Sequence, residues 1–384
     1  MRALVNTFVN YVRSYMRRTD RILWLLCLAL SGFSILLLFG IIDTGYAGYL
    51  RISNRNILVQ GVAVVMGACG AALLSHIDYK NLAKLWKVHV PVSYFLLALT
   101  FFMGVGTLER PDDRRWLIFP LGGLSFQPSE LLRISFILVF AYHIFCVREK
   151  INHPLHLPGL LVHGAVPVIL LHLQGDDGSA LIIAAIFISM LFCSGISWKY
   201  IFGTVAIIGV SLPVLWSYIL SDFQKQRFLA VYYGADRDIQ GIFFQQHRAQ
   251  IAFATGGEGG VGIFNASHIY VPEMHNDFMF SFLGASTGFV GCALTIVAII
   301  VLWLKILLCA GRAKDLLGSM ICMGIFSMLS FQTLINIGMN IAMLPVIGNP
   351  LPFLSYGGSS MLTSYLGIGL VLSVHMHSSK PMFE

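Results

Sequence analysis

Apolar runs of about membrane-spanning length recur from one end of this chain to the other, with mostly short polar turns between them. A helix needs about 20 apolar residues to cross the hydrocarbon of a bilayer. In lipid every backbone polar group must be satisfied within the protein, which restricts spanning structures to helices and closed barrels. The runs predict ten helical spans, near residues 22–42, 56–77, 86–107, 128–147, 159–174, 179–195, 199–220, 277–307, 315–341 and 352–377. Composition agrees. Charged residues make up 11% of the chain and hydrophobic residues 57%, with a mean hydropathy of +0.78, whereas soluble domains carry roughly 25% charged residues. The expectation is an all-α integral membrane protein, one polytopic domain over residues 1–384, with a single long extracytoplasmic loop, residues 221–276, between the seventh and eighth helices.

Lys and Arg in short loops mark the cytoplasmic side. With the N-terminus inside, that side collects Arg2, Arg13, Arg17, Arg18 and Arg21, then Lys80, Lys84 and Lys87, then Arg148, Lys150, Lys305, Arg312 and Lys314. Both termini are therefore expected in the cytoplasm. The first apolar run is too long for a signal-peptide core and no small-x-small cleavage site closes it, so it reads as a retained anchor. The net charge of +7 follows largely from this bias, and no basic stripe with interleaved aromatics calls for a nucleic acid. Acids lean the other way, with Asp112, Asp113, Asp176, Asp177, Asp236, Asp238, Glu258, Glu273 and Asp277 at or near the outer face. A polar working surface outside is the simplest cause. The seven cysteines fall in apolar spans or at their ends, and read as small core residues rather than a disulfide framework.

Four outer features gather the polar chemistry. Asp277 stands where the polar run Pro272–Asn276 turns into a long apolar span. An ionisable group at such a boundary is costly to desolvate and is a functional-site candidate; the alternative is a carboxylate that only caps the next helix. Glu273 and His275 belong to the same run. Arg115-Trp116, followed by Phe126-Gln127-Pro128-Ser129-Glu130, opens the fourth span, and Glu130 and Arg133 lie three apart on one helix face. The loop from Ser221 to Asn276 carries Arg227, Arg248 and the glycine run Gly256–Gly262. The run is a weak phosphate-cradle signal, since no Gly-Lys-Ser/Thr follows it, and a flexible turn is the plainer reading. Last, Leu344–Ser360 packs three prolines and paired glycines at membrane depth, with Ser355, Tyr356 and Ser359 near its end. Irregular backbone there requires burial in protein or a wet cavity, so this segment is expected to wall a polar pocket against Asp277. His153, His156, His375 and His377 sit on the other side and read as surface or interface residues.

These motifs resemble the SEDS family of RodA and FtsW shape, elongation, division and sporulation proteins. The resemblance rests on Phe126–Glu130, on Pro-Glu-x-His-x-Asp-Phe at 272–278, and on Leu344–Ser360 with its Ser-Tyr-Gly-Gly-Ser-Ser ending. Asn336-Ile337-Gly338-Met339 and the Leu-Pro-Val-x-Gly-x-Pro-Leu-Pro-Phe wording are closer to RodA. It implies a peptidoglycan glycosyltransferase that polymerises lipid II outside the cytoplasmic membrane, paired with a class B penicillin-binding protein. It assigns the essential aspartate to Asp277, a loop arginine to Arg227, and the start of the fourth span to Gln127 and Glu130. The chain departs from the pattern at Gly175, where proline is usual, at Arg248 for a glutamine, at Val261 for a basic residue, and at Ala285-Ser286 for a pair of glutamates.

The implied chemistry is an inverting glycosyl transfer with Asp277 as general base. Its leaving group, a lipid pyrophosphate, needs cations rather than a second acid, and Arg227, with Arg115 and Arg248 behind it, supplies guanidinium forks for phosphate. A divalent cation remains a candidate cofactor, with no ligand cluster in the sequence to hold it. The helix start favours the charged carboxylate of Asp277 and apolar burial opposes it. Two other readings stay open. One is a lipid-precursor flippase or transporter, which calls for broken helices and an inverted repeat. The other, prompted by the departures, is a catalytically impaired scaffold for the penicillin-binding partner.

Overall fold

The computed structural model describes residues 10, 13–50, 52–106, 114–118, 125–220, 222–233, 243–265 and 267–378. Arg2, Asp112, Asp113, Asp236 and Asp238 lie outside the described residues. Besides two short helices, Ala47–Leu50 and Tyr79–Lys84, twelve longer helices organise the described residues: α1 Arg21–Asp43, α2 Asn54–His76, α3 Trp86–Met103, α4 Pro128–Val147, α5 Leu157–Leu173, α6 Asp177–Cys193, α7 Trp198–Val214, α8 Asp222–Tyr233, α9 Phe244–Gly256, α10 Met279–Arg312, α11 Leu316–Asn340 and α12 Gly358–Ser378. Among the described residues eight helices are long and apolar enough to cross a membrane, and α5 and α6 are shorter apolar helices. All ten fall on the expected spans, and the chain is a multi-pass membrane protein. At 1.5 Å rise per residue, the 17 residues of α5 or α6 reach about 26 Å, close to the hydrocarbon thickness.

The bundle is built around α11, which packs on α4, α6, α10 and α12, while α12 lies along α2. With little hydrophobic force between helices in lipid, close approach depends on small residues. Gly67 and Gly369 meet that need: a β-carbon on Gly67 would come within 2.8 Å of the Tyr365 ring, and one on Gly369 within 2.7 Å of the Ala71 backbone. Buried hydroxyls then pair across helices, Ser31 with the Tyr365 hydroxyl at 2.9 Å.

The long segment expected between the seventh and eighth spans carries helices of its own. Residues 221–276 contain α8 and α9, and α9 packs along α10. The glycine run is neither a phosphate cradle nor a loose turn. It is pressed against a break in α10 at Gly288 (φ 65°, ψ −166°). Val261 N and Gly262 N donate to Ala285 O and Ser286 O, and Phe289 N and Val290 N donate to Gly257 O and Glu258 O. The backbones approach so closely that a β-carbon on Gly260 would lie 2.3 Å from Ser286 O, and one on Gly288 2.4 Å from Glu258 O.

The tight α5–α6 hairpin also has a local cause. Gly175 N donates to His172 O and Asp176 N to Leu171 O, a Schellman ending that needs a left-handed residue, and Gly175 sits at φ 82°. Proline, locked near −65°, cannot take that conformation.

Gly288→Ala combines a glycine-only backbone region with a steric clash. It is expected to cost at least about 2 kcal/mol and to lower the thermal unfolding midpoint of the detergent-purified protein; an unchanged midpoint would contradict the break described here.

Candidate active site

Asp277 lies just before α10, whose N-cap position falls one residue later on Phe278, with no side chain capping it. Asp277 is therefore not the N-cap residue of α10. Its main chain is fixed from α11 instead: Asn336 Nδ2 and Asn340 Nδ2 each donate to Asp277 O at 2.8 Å, and Ser281 N donates to Asn340 Oδ1 at 3.0 Å. The half-buried side chain lies over Gly348, where a β-carbon would meet Asp277 Oδ2 at 3.5 Å. Gly348 has φ 79°, so this position demands glycine.

Gly348 belongs to the irregular segment 344–357, and the structure bears out its burial: Leu351, Phe353, Leu354 and Ser355 are all buried. Carboxamides satisfy its backbone one group at a time. Gln246 Nε2 donates to Leu344 O at 2.7 Å, Asn336 Nδ2 to Asn349 O at 2.7 Å, Gln332 Nε2 to Pro350 O at 3.0 Å, and Gln60 Nε2 to Ser355 O at 3.1 Å. Gly357 N donates to Gln60 Oε1 at 3.2 Å. The Asp277 run is clasped to the same segment, with Ser355 Oγ donating to Asn276 O at 2.6 Å and Tyr356 N to His275 O at 2.9 Å. Of the expected cations, Arg227 joins this assembly, since its Nη1 donates to Val346 O at 2.8 Å. Arg248 is spent elsewhere: its Nε donates to Tyr270 O at 2.7 Å, tying α9 to the chain that leads to Asp277.

A second cluster flanks the segment on the side of α6. Arg115 hydrogen-bonds Gly175 O and lies 4.0 Å from Asp176. Asp176 accepts from Gln127 Nε2 at 2.8 Å and Ser129 Oγ at 2.9 Å, and Arg133 donates to Ser179 Oγ at 2.7 Å and to Glu130 Oε1 at 2.9 Å. Glu130, Arg133 and Asp176 are 2%, 1% and 3% exposed. The expected Glu130–Arg133 pairing is thus present, inside a larger network. Burial alone would raise the Asp176 carboxyl, but the Arg115 and Arg133 guanidinium groups, with the Ser179 and Ser129 hydrogen bonds, hold it below the usual carboxylate range. Gln127 N donates to Ser359 Oγ at 3.2 Å, which links this cluster to the start of α12. The two clusters meet where Gly178 packs on the irregular segment, a β-carbon there lying 3.2 Å from Asn349 Oδ1.

His275 is buried, with its Nε2 3.9 Å from Glu273 Oε2 and its ring 5.8 Å from that of Tyr356. Glu273, at φ 54°, accepts from Asn276 Nδ2 at 2.9 Å. Burial pushes the His275 imidazole down to about 4, so it is neutral near pH 7. Sequence reasoning missed Asp176, Gln60, Gln246, Gln332, Asn340 and Asn349. The last is 1% exposed with an Nδ2 that has no partner among the described residues. A carboxamide in an otherwise apolar span was the available signal for Gln60, Gln332 and Asn340. Among the described residues no group of three or more His, Cys, Asp or Glu is placed to hold a metal ion.

The family model described as "Cell cycle protein", covering FtsW, RodA and SpoVE, matches residues 19–380. The chain belongs to that family. It is the one its motifs resemble. A probable peptidoglycan glycosyltransferase FtsW of Geobacter metallireducens is 30% identical over 93% of this chain and 94% of its own length. The peptidoglycan glycosyltransferase MrdB of Escherichia coli K12 is 33% identical over 69% of this chain and 71% of its own. Among solved structures, a chain of a peptidoglycan synthase complex, described as coordinating polymerisation and crosslinking, superimposes with a TM-score of 0.78 at 27% identity, covering 94% of this chain and 99% of that one. Thermus thermophilus RodA gives 0.68 at 25% identity, covering 94% and 98%.

Two outcomes check this geometry. Asn340→Leu removes one of the two donors to Asp277 O and one of the two acceptors of Ser281 N, and is expected to cost about 1–3 kcal/mol, read as a lower unfolding midpoint than that of an exposed control such as Asn81→Leu. Second, a histidine whose folded value is depressed stabilises the fold fully above its unfolded value and loses that contribution as pH falls. The midpoint should therefore drop between pH 6.5 and about 4, with His268, also pushed down by burial, adding to the same trend. His275→Gln should flatten that drop; an unchanged pH slope would contradict the buried neutral imidazole.

Proposed function

We propose that this chain is a peptidoglycan glycosyltransferase that polymerises lipid II, an undecaprenyl-pyrophosphate-linked disaccharide peptide, at the outer face of the cytoplasmic membrane, with Asp277 as general base. Family membership and the named activity of the relatives support the reaction class. The observation that carries the site is the clasp of the Asp277 run to segment 344–357, with Arg227 on the same segment. Orientation follows from charge: Lys80, Lys84, Lys87, Lys305, Arg312 and Lys314 lie at the end of the bundle opposite Asp277, and the Lys- and Arg-rich end faces the cytoplasm.

In this mechanism the Asp277 carboxylate takes the proton of the acceptor sugar's 4-hydroxyl. That oxygen attacks the anomeric carbon of the donor as the bond to pyrophosphate breaks, inverting the centre. The lipid pyrophosphate leaves as a stable anion, so no second carboxyl is required to protonate it. Arg227 supplies a guanidinium to the phosphates, and the unfilled Asn349 amide is a further donor beside Gly348. Neutral His275 backs the loop without adding charge. Glu273, Tyr356 and Ser355 shape the same wall. Arg115, Gln127, Glu130 and Ser359 act from the Asp176 cluster as supports, and Arg248 holds the loop.

A class B penicillin-binding protein is the proposed partner, in keeping with the synthase complex among the structural neighbours. The RodA-like wording of 336–339 and 344–353 supports a role in elongation. The scaffold reading weakens because the departures Val261 and Ala285-Ser286 meet each other, backbone to backbone. The basic residue and the acidic pair are absent together, so neither is left as an unpaired charge.

Reconstitution with purified lipid II tests the assignment. Asp277→Asn should reduce glycan polymerisation at least about 10²-fold with an unchanged unfolding midpoint, and Arg227→Ala should raise the KM for lipid II. Full activity in the Asp277 variant would remove the general base, and lipid II translocation without polymerisation in the unaltered protein would favour the flippase.

A further inference from the structure

At the end of the bundle opposite Asp277, three helices bring two thiols and an imidazole together. Cys322 of α11 donates to Cys309 of α10, with the sulfurs 3.8 Å apart. Cys309 also donates to Val371 O of α12 at 3.5 Å, and His375, one turn further along α12, lies within hydrogen-bonding reach of its sulfur. Both cysteines are buried, at 7% and 0% exposure, while His375 is half-buried. Nothing in glycosyl transfer uses these groups. The sequence gives Cys309 and Cys322 as small core residues and His375 as a surface residue, so their meeting is a product of the fold. Ion pairs flank the cluster. Lys305 and Asp20 pair at 2.5 Å, and the connection between α10 and α11 is held by Asp315, which caps α11 and pairs with Lys80 at 2.8 Å.

We propose that Cys309 and Cys322 form a redox-active dithiol, which a peroxide converts to a disulfide that staples α10 to α11. Sulfurs already in van der Waals contact need to close by less than 2 Å to reach the roughly 2.05 Å bond length. The Cys309 thiol gives its proton to the His375 imidazole, whose half-exposed ring connects the buried sulfur to solvent. The Cys309 thiolate attacks one peroxide oxygen, the O–O bond breaks, and the product is a sulfenic acid at Cys309 with water formed from the other oxygen and a proton. Cys322 then attacks the Cys309 sulfur, its proton leaving with the sulfenic hydroxyl as a second water. Two thiols are oxidised by two electrons and one peroxide is reduced by two. The ring closed is short, running through the 313–315 turn, and it ties the hairpin whose other end carries Asp277 and its Asn336 and Asn340 supports. The proposed orientation sets this end toward the reducing compartment, where the dithiol is the resting form. The proposal does not rest on the glycosyltransferase reading.

The experiment treats the full-length detergent-purified protein with graded hydrogen peroxide, then denatures, alkylates and maps all seven cysteines by mass spectrometry without reduction. The expected result is a linked peptide joining Cys309 and Cys322, reversed by dithiothreitol, at peroxide doses that leave Cys27 alkylatable. In Cys322→Ser the reaction should stop at a Cys309 sulfenic acid, trapped by dimedone. His375→Ala should slow linkage by roughly tenfold, and an unchanged rate would remove the imidazole as proton acceptor. The proposal is overturned if both cysteines stay alkylatable at doses that oxidise the exposed Cys69 and Cys146, or if Cys309 oxidises without forming the linked peptide.

Discussion

Unpaired backbone groups in a lipid environment are the constraint on which the site depends. Residues 344–357 follow no helix or sheet ladder, and hydrocarbon offers no water to their N–H and C=O groups. Side-chain carboxamides from two spanning helices and from α9 supply the missing partners: Gln60 on α2, Gln246 on α9, and Gln332 and Asn336 on α11. Each amide offers both a donor and an acceptor without a charge, so it can cap an irregular backbone at far lower desolvation cost than Lys or Asp. Because the segment is held this way, it can carry Gly348 to the carboxylate of Asp277 and Val346 to Arg227. The same α11 amides reach past the segment to the Asp277 carbonyl, so the segment and the Asp277 main chain are fixed from one helix face.

The departures from the family pattern take on physical content once placed. Val261 meets Ala285, and the neighbouring Gly262 meets Ser286, through N–H to carbonyl bonds of 2.9 Å. Where charges of opposite sign stand at such a contact, losing one member strands the other; here none remains, and glycine-enabled backbone contact holds α10 to the loop. Gly175 acts differently. It ends α5 in a left-handed turn, and its carbonyl receives Arg115, which leads that guanidinium to Asp176 rather than outward. Arg248 is spent on Tyr270 O. Of the three arginines considered for phosphate, only Arg227 shares the segment that holds Gly348.

Much of the bundle is legible in the sequence because lipid imposes one dominant rule, and apolar runs of spanning length report it directly. The ten helices fall within a few residues of the runs, the largest shift of a helix start being α12, which starts at Gly358 where the apolar wording begins near residue 352. Pro350 and Pro352 explain the difference, since they cannot donate to a helical ladder. The helices α8 and α9 were not legible: they are short, polar over much of their length, and gain their order by packing on α10 and on Asp177, which accepts from Gln224 at 2.6 Å. At the site, Asp277 and the 344–360 segment announce themselves by charge and by proline at membrane depth. The amides do not, because a lone Gln or Asn in an apolar run gives no hint of which distant carbonyl it serves. The Cys309–Cys322 contact is hidden for the same reason.

The Asp176 cluster ties the opening of the fourth span to the elements around it. Arg115, Asp176, Arg133 and Glu130 pair two guanidinium groups with two carboxyl groups, and the fully buried Glu130, Arg133 and Asp176 would each be costly alone. Ser129 and Ser179 bridge the cluster's two halves, 3.1 Å apart, while Arg133 Nε is buried without a hydrogen-bond partner. Carboxylates held against guanidinium groups in this way make a poor general acid and a good joint. It fastens α4, the α5–α6 hairpin and the segment around Arg115 at one point, and through Gln127 N to Ser359 Oγ it reaches the start of α12. The start of α12 in turn ends the irregular segment, so the register of Gly348 under Asp277 is bounded on one side by amides and on the other by this knot of paired groups.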